Sequence, residues 1–189
     1  MSDYLAFPSD GFDAHWSTWD GAHAEHLSLC WENEAWTASG RVGREQVEYV
    51  IRLSPLWQIR QFMLFRDVDQ PDLWLGTDGH GRWGEVNGAH RTELDGALDL
   101  SLPCTPFSHT LPIRRHPLLI GDSVELTVIE IDVESLATIP VQVKYTRLTR
   151  RDWELTRSGV ATQFEVDEYA LPHHIEGSFR RTKPGRLSA

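Results

Sequence analysis

The chain has 189 residues, a formal net charge of −10 and a charged fraction of 24%, which fit one globular domain with a core of ordinary size. The acidic excess argues against nucleic acid as a partner and against adhesion to anionic membranes. No run approaches the roughly 18 apolar residues of a membrane helix, and the N-terminus has no leader pattern. Cys30 and Cys104 lie far apart outside any CxxC pattern, so we expect a cytoplasmic protein with reduced thiols.

The first half of the chain predicts a series of short strands after an irregular lead-in, residues 1–22. From Leu27 onward apolar and polar residues alternate with a period of two, which is typical of half-buried strands. In the strand Trp57–Phe65 we assign Trp57, Ile59, Met63 and Phe65 to one face. The strands predicted here cover residues 27–31, 36–42, 46–53, 57–65, 73–76 and 82–86, with turns at 32–34, 54–55 and 77–81.

The second half predicts an antiparallel meander and then a polar tail. Its strands cover residues 124–133, 141–148, 152–156 and 160–166. In the second of them Val141, Val143, Tyr145 and Arg147 share one face. We expect the end of the chain, 180–189, to fray as a polar tail. Many short strands with few helices predict a mainly β fold, either a sandwich, a barrel or a rolled sheet.

The segment Thr105–Arg115, with the sequence TPFSHTLPIRR, is the exception to this pattern. Thr105 is a suitable N-cap and Pro106 suits the first helical position, so a short helix is predicted to begin there. Pro112 is expected to end or kink it. The segment combines apolar and cationic groups, which suits a ligand with an apolar part and an anionic or polyhydroxyl part.

Other constellations give weaker indications of chemistry. His23 and His26 are three residues apart, but no third metal ligand is evident, and we favour a solvated loop or strand start. Ser108 and His109 are adjacent, which is poor geometry for a direct relay. Two roles are open for Arg114 and Arg115. They could bind a phosphate, carboxylate or sugar of a ligand, or they could form salt bridges to buried acids. The candidate acids are Asp95, Asp99 and Glu125. No metal and no cofactor are predicted.

The run from Leu94 to Arg115 resembles a bacterial family named for glycolipid binding and long known only as a domain of unknown function. Further matches are VKYTRL at 143–148, WEL at 153–155, FEVD at 164–167 and FRR at 179–181. The resemblance extends from about Glu25 to Arg181. It implies a spiral β-roll, in which a long antiparallel sheet wraps around one short helix, and it implies a homodimer. The family pattern has Asn where this chain has His109, so a ligand contact there would make binding sensitive to pH near neutrality.

These observations lead to three hypotheses for the function. The first is a non-catalytic module that binds an amphiphile such as a lipid or glycolipid. Trp57, Phe107 and Leu111 would contact the acyl part, and Arg114, Arg115 and Tyr145 the polar head; the full ligand-binding set adds Thr105, His109 and Arg147. The second is an enzyme acting on a small amphiphile or sugar ester, with His109 or Asp95 as general base. The third is a purely structural role, with the segment as a core plug whose arginines neutralise buried acids.

Overall fold

The computed structural model of the chain describes residues 3–43, 47–66 and 70–187. Within these ranges the chain forms fourteen strands, one short α-helix and two 3-10 helices. The helices are α1 (Thr110–Arg115) and the 3-10 helices Thr92–Leu94 and Pro106–His109. The strands are β1 (Phe12–Thr18), β2 (Ala24–Glu32), β3 (Ala35–Val42), β4 (Val47–Leu53), β5 (Ile59–Phe65), β6 (Leu73–Thr77), β7 (Trp83–Gly84), β8 (Asp99–Ser101), β9 (Ser123–Ile131), β10 (Thr138–Arg147), β11 (Asp152–Arg157), β12 (Val160–Val166), β13 (Pro172–Ile175) and β14 (Phe179–Leu187).

All these strands belong to one sheet, in the order β7-β6-β5-β4-β3-β2-β1-β14-β13-β12-β11-β10-β9-β8. Every neighbouring pair is antiparallel except β8 and β9, which run parallel. The sheet is open, with β7 and β8 as its two edges. Those edges approach each other, because the Gly96 amide donates to the Gly81 carbonyl at 2.9 Å and the Trp83 indole donates to the Ala97 carbonyl at 2.8 Å.

Both ends of the chain differ from the sequence prediction. The expected irregular lead-in contains β1, and the expected fraying tail forms β14 as far as Leu187; residues 188–189 lie outside the described residues. β1 and β14 pair with each other in the middle of the sheet, with Trp16 opposite Arg181. Such pairing joins residues far apart in the chain through backbone groups, so the polar side chains of the tail gave no sign of it.

The strands of the first half follow the prediction, with one correction in register. β2 and β3 form a hairpin through Asn33 and Glu34, whose φ angles of 50° and 58° are those of a two-residue hairpin turn. The fourth strand begins at Val47, and its predicted first residue, Gln46, lies outside the described residues.

The assignment of faces in the fifth strand was wrong. Trp57 lies in the turn before β5, with a φ of 65°. A register shift opposite Arg52 and Leu53 then moves Phe62 and Leu64 to the buried face, where Met63 and Phe65 had been expected. A bulge of this kind exchanges the two faces of a strand, because side chains alternate with a period of two.

The meander of the second half is confirmed as β9 to β12, although β10 begins earlier than predicted, at Thr138. Val143, Tyr145 and Arg147 are buried on one face of β10, as expected, and Val141 is half-buried there. Among the described residues, no helix has the length and apolar character that a membrane crossing requires.

The segment from Pro106 to Arg115 fills the inside of this curved sheet. Phe107 and Leu111 belong to a core cluster with side chains of β1 to β6, whereas Ile113 belongs to a second cluster with side chains of β9 to β14. Burial of these apolar faces against both halves of the sheet provides the main driving force for the arrangement. The predicted fold class, a long sheet rolled around one short helix, is confirmed.

Candidate ligand-binding cavity

The helical segment begins as its sequence predicts. The Thr105 Oγ accepts a hydrogen bond from the Phe107 amide at 3.0 Å, and Pro106 occupies the first position of the 3-10 helix. α1 follows directly and continues through Pro112 to Arg115. A proline is tolerated there because amides in the first turn of a helix have no partner within it.

A buried carboxyl group fastens the start of this segment to the sheet. The Glu25 Oε1 accepts hydrogen bonds from the Thr105 hydroxyl at 2.5 Å and from the Tyr49 phenol at 2.6 Å. The Tyr49 ring reaches Glu25 by lying across Gly40 of β3, where a Cβ would come within 2.0 Å of the Tyr49 Cζ. The Glu25 Oε2 is buried and has no partner among the described residues, so burial raises the pKa of Glu25 to about 7.

The other end of the segment is held by its two arginines. Arg115 bonds Asp99 at 2.6 Å, which confirms one of the three acids proposed from the sequence. Burial raises the pKa of Asp99 to about 6, although the positive charge of Arg115 lowers it. Of the other candidates, Asp95 instead pairs with His90 at 2.9 Å.

Arg114 binds carbonyl groups and aromatic rings rather than a carboxylate. Its guanidinium donates to the carbonyls of Tyr169 at 2.8 Å and Leu5 at 3.1 Å. It also lies over the rings of Phe7 and Trp57, 4.8 and 4.4 Å from the centroids, which favours a cation through the ring quadrupole. Burial lowers the pKa of Arg114 to about 10, so it remains charged at pH 7.

A cavity of about 190 Å³ lies between the helical segment and the strands β8 to β11, with the turn before β14 at its rim. Pro103 and Ser178 in its wall are exposed, so the cavity opens to solvent. Its wall combines apolar side chains with polar groups, which come from the helical segment at Thr105, Ser108 and His109 and from the sheet at Ser101, Tyr145 and Arg157. The lining residues are Leu100, Ser101, Leu102, Pro103, Thr105, Ser108, His109, Val128, Val143, Tyr145, Leu155, Arg157, Ile175, Ser178 and Phe179.

His109 and Tyr145 form the polar centre of this wall. The His109 Nδ1 and the Tyr145 hydroxyl are 2.8 Å apart. Removal from water lowers the pKa of His109 to about 4 and raises that of Tyr145 far above its usual range, so both groups are neutral at pH 7. This corrects the expectation that His109 would titrate near neutrality.

The rim carries one charged pair, in which Arg157 meets Glu130. One guanidinium nitrogen donates to the Glu130 Oε1 at 2.8 Å and the other contacts Oε2. A two-pronged contact of this kind occupies the fork of the guanidinium and neutralises its charge. The pair therefore offers a ligand little unbalanced charge.

The nine residues predicted to bind a ligand do not all meet at this cavity. Thr105, His109 and Tyr145 line it. Phe107 and Leu111 are fully buried in the core, and Trp57 packs under Arg114 in its turn. Arg114 and Arg115 anchor the segment. Arg147 lies beyond the cavity wall, where it ties loops together by donating to the carbonyls of Leu118, Thr149 and Arg150.

Sequence reasoning missed Ser101, Ser178 and the buried Glu25. Neither serine carries a local signal for a site, and only the curvature of the sheet brings Ser101 and Ser178 together. Glu25 could have been found, because it occupies the same face of β2 as the buried Leu27 and Leu29. An acid in an apolar row predicts a buried polar partner.

His26, one of the two histidines that lie three residues apart in the sequence, makes structural contacts. His26 lies on β2, stacks on His15 with centroids 4.4 Å apart, and contacts Asp13 at 3.2 Å. In residues 3–43, 47–66 and 70–187, no group of three or more His, Cys, Asp or Glu side chains is arranged to hold a metal ion.

Two larger depressions lie elsewhere on the described surface. One of about 520 Å³ lies against β2 to β4, and one of about 300 Å³ lies against β13 and β14. Neither includes a residue of the helical segment.

Comparison with known proteins agrees with the fold. Residues 13–181 match the model of the family described as "Putative glycolipid-binding". The chain belongs to this family. A crystal structure of a DUF1089 family protein from Pseudomonas aeruginosa is similar to it, with a TM-score of 0.68 and 25% identity over 94% of this chain and 95% of that chain. A search of curated proteins found no match.

Proposed function

We propose that the protein is a non-catalytic binding module for an amphiphile of the glycolipid class. The observation that supports this most is the open cavity between the sheet and the helical segment, whose wall combines apolar side chains with several polar groups. Most small-molecule sites combine apolar walls with a few convergent polar groups in this way. The ligand class comes from the family name and the residues of the wall.

The size of the cavity limits how much of a ligand can enter. At about 190 Å³ it is smaller than the roughly 300–1,000 Å³ of most drug-sized sites. We therefore propose that it holds one unit of the amphiphile, while the rest lies outside the rim. Each CH2 group removed from water contributes about 0.8 kcal/mol, so a short covered part of a chain adds useful affinity.

The catalytic alternative has less support from the geometry. Among the described residues the hydrogen-bond partner of His109 is a phenol, while the neighbouring Ser108 hydroxyl donates to the Thr105 carbonyl at 3.3 Å. A general base requires a nucleophile or a water within hydrogen-bond reach. Asp95, the other proposed base, is not among the cavity residues.

The test is native mass spectrometry of the protein purified from its own host, followed by titration with octyl and dodecyl glucosides and glycosyl diacylglycerols. Ser178→Trp places a large ring at the exposed rim and should weaken binding at least tenfold. Glu176→Trp is the matched control, because Glu176 is exposed in the same turn but is not part of the cavity wall. Ligand-free protein across the panel, or equal binding by both variants, would refute the proposal.

Location and assembly complete the proposal. We propose a cytoplasmic protein. The homodimer that the resemblance implies is tested by light scattering coupled to size exclusion, where a monomer at micromolar concentration would exclude it.

A further inference from the structure

The His109–Tyr145 pair presents matched hydrogen-bonding groups to the cavity. If the Tyr145 hydroxyl donates to the His109 Nδ1, then Nε2 carries a proton and can donate, while the phenol oxygen can accept. If Nδ1 instead donates to the phenol, the phenol proton is free and Nε2 accepts. Among the described residues, the His109 ring makes its side-chain hydrogen bond through Nδ1, to Tyr145, so in both tautomers the pair can provide one donor and one acceptor.

A hydroxyl group can form hydrogen bonds with both the donor and the acceptor of such a pair. An alcohol donates one hydrogen bond and accepts others, whereas a phosphate or carboxylate oxygen only accepts and an ammonium group only donates. Two serine hydroxyls in the same wall, those of Ser101 and Ser178, have the same dual character, whereas the Ser108 hydroxyl already donates to the Thr105 carbonyl and can only accept. The polar groups of the wall are therefore suited to several neighbouring hydroxyl groups.

The charges of the cavity wall also favour an uncharged ligand group. Arg157 is the one charged residue at pH 7 among the described residues of the lining, and Glu130 already occupies its guanidinium. Behind the wall, Asp99 is paired with Arg115. An ion entering this space would lose its hydration without finding an unpaired opposite charge, which is unfavourable.

We propose that the His109–Tyr145 pair makes the cavity specific for an uncharged, hydroxyl-bearing head, the sugar ring of a glycoside, against a phosphate or ammonium head. This inference rests on the proposed function and deepens it. The apolar side chains of the wall, Val128, Val143 and Leu155 among them, cover the less polar face of the ring. Discrimination comes from hydrogen bonds to the imidazole and phenol and from the absence of an unpaired charge.

Isothermal titration with three amphiphiles of equal chain length tests this. The probes are octyl β-glucoside, octyl phosphate and octyltrimethylammonium, each used as a monomer below its micelle concentration. Only the glucoside is expected to bind. His109→Phe and Tyr145→Phe should each weaken it about tenfold, since a lost hydrogen bond to a buried group costs on the order of 1–2 kcal/mol. His80→Phe is the control, because His80 is exposed in the turn after β6.

The outcomes separate this inference from the proposed function. Octyl phosphate or octyltrimethylammonium binding as tightly as the glucoside would overturn the specificity while leaving a binding module in place. Unchanged glucoside affinity in both folded variants would overturn the role of the pair. Binding of none of the three probes, and of no member of the wider panel, would refute the proposed function itself. Circular dichroism of each variant establishes that it is folded.

Discussion

Replacing Glu25 by Gln should make the protein more stable at neutral and alkaline pH. The amide keeps an oxygen that can accept from Tyr49 and Thr105, as the Glu25 Oε1 does. It carries no charge, so it removes the need to bury an ionised oxygen without a partner. Burial opposes ionisation of the carboxyl and raises its pKa from 4.5 to about 7. Ionisation of Glu25 therefore acts against folding.

The direction of the pH effect follows from proton binding. Between pH 4.5 and 7 the folded chain retains the Glu25 proton that the unfolded chain releases, so stability falls as the pH rises. A difference of about 2.5 pKa units corresponds to roughly 3 kcal/mol above pH 7. Below pH 4.5 both states are protonated, and wild type and Glu25→Gln should differ little.

Other buried groups also titrate in this pH range, so their contributions to stability must cancel when the two proteins are compared. The raised pKa of Asp99 lowers stability as the pH rises toward about 6. The lowered pKa values of His109 and His116, both about 4, act in the opposite sense up to about pH 6.5. These contributions are common to wild type and Glu25→Gln, so the difference between the two proteins isolates Glu25.

Urea unfolding at half-unit steps from pH 4.5 to 8.5 measures this difference. The free energy of unfolding of Glu25→Gln minus that of wild type should rise with pH from near zero to roughly 3 kcal/mol, with most of the change below pH 7. Glu176→Gln, at an exposed turn position, is the control and should give a flat difference. A constant offset at every pH for Glu25→Gln would show that Glu25 does not titrate in this range and would refute the reasoning.

Two further substitutions test the anchors of the helical segment. Gly40→Ala should lower stability by about 1–3 kcal/mol, because its Cβ displaces the Tyr49 ring. Chemical denaturation should show no added loss in a Tyr49→Ala background, and an equal loss in both backgrounds would contradict the clash. Arg115→Met should destabilise by about 3–5 kcal/mol by leaving Asp99 buried without its cation. Adding Asp99→Leu should recover most of that loss, and a single-variant loss below about 1 kcal/mol would show that the pair is well solvated.

The candidate site could be predicted from the sequence only in part. The motif segment stood out because two prolines, a cap and two arginines interrupt a period of two, and its helix begins at Thr105 as expected. Thr105, His109 and Tyr145 do line one cavity. Phe107 and Leu111 have the same apolar character as ligand contacts but pack in the core. Side-chain chemistry does not distinguish a cavity wall from a core, because both are lined by apolar groups.

The sequence by itself determined the mainly β class, most strand positions and the helix cap, because alternation, turn residues and capping are properties of neighbouring residues. For Arg115 it left two alternatives open, a ligand clamp or a salt bridge to a nearby acid. The tertiary structure decided the pairing of β1 with β14, the reversed faces of β5 and the burial of Glu25 beneath Tyr49. These depend on how far the sheet curves and where it shifts register, since curvature brings together residues that no local pattern connects.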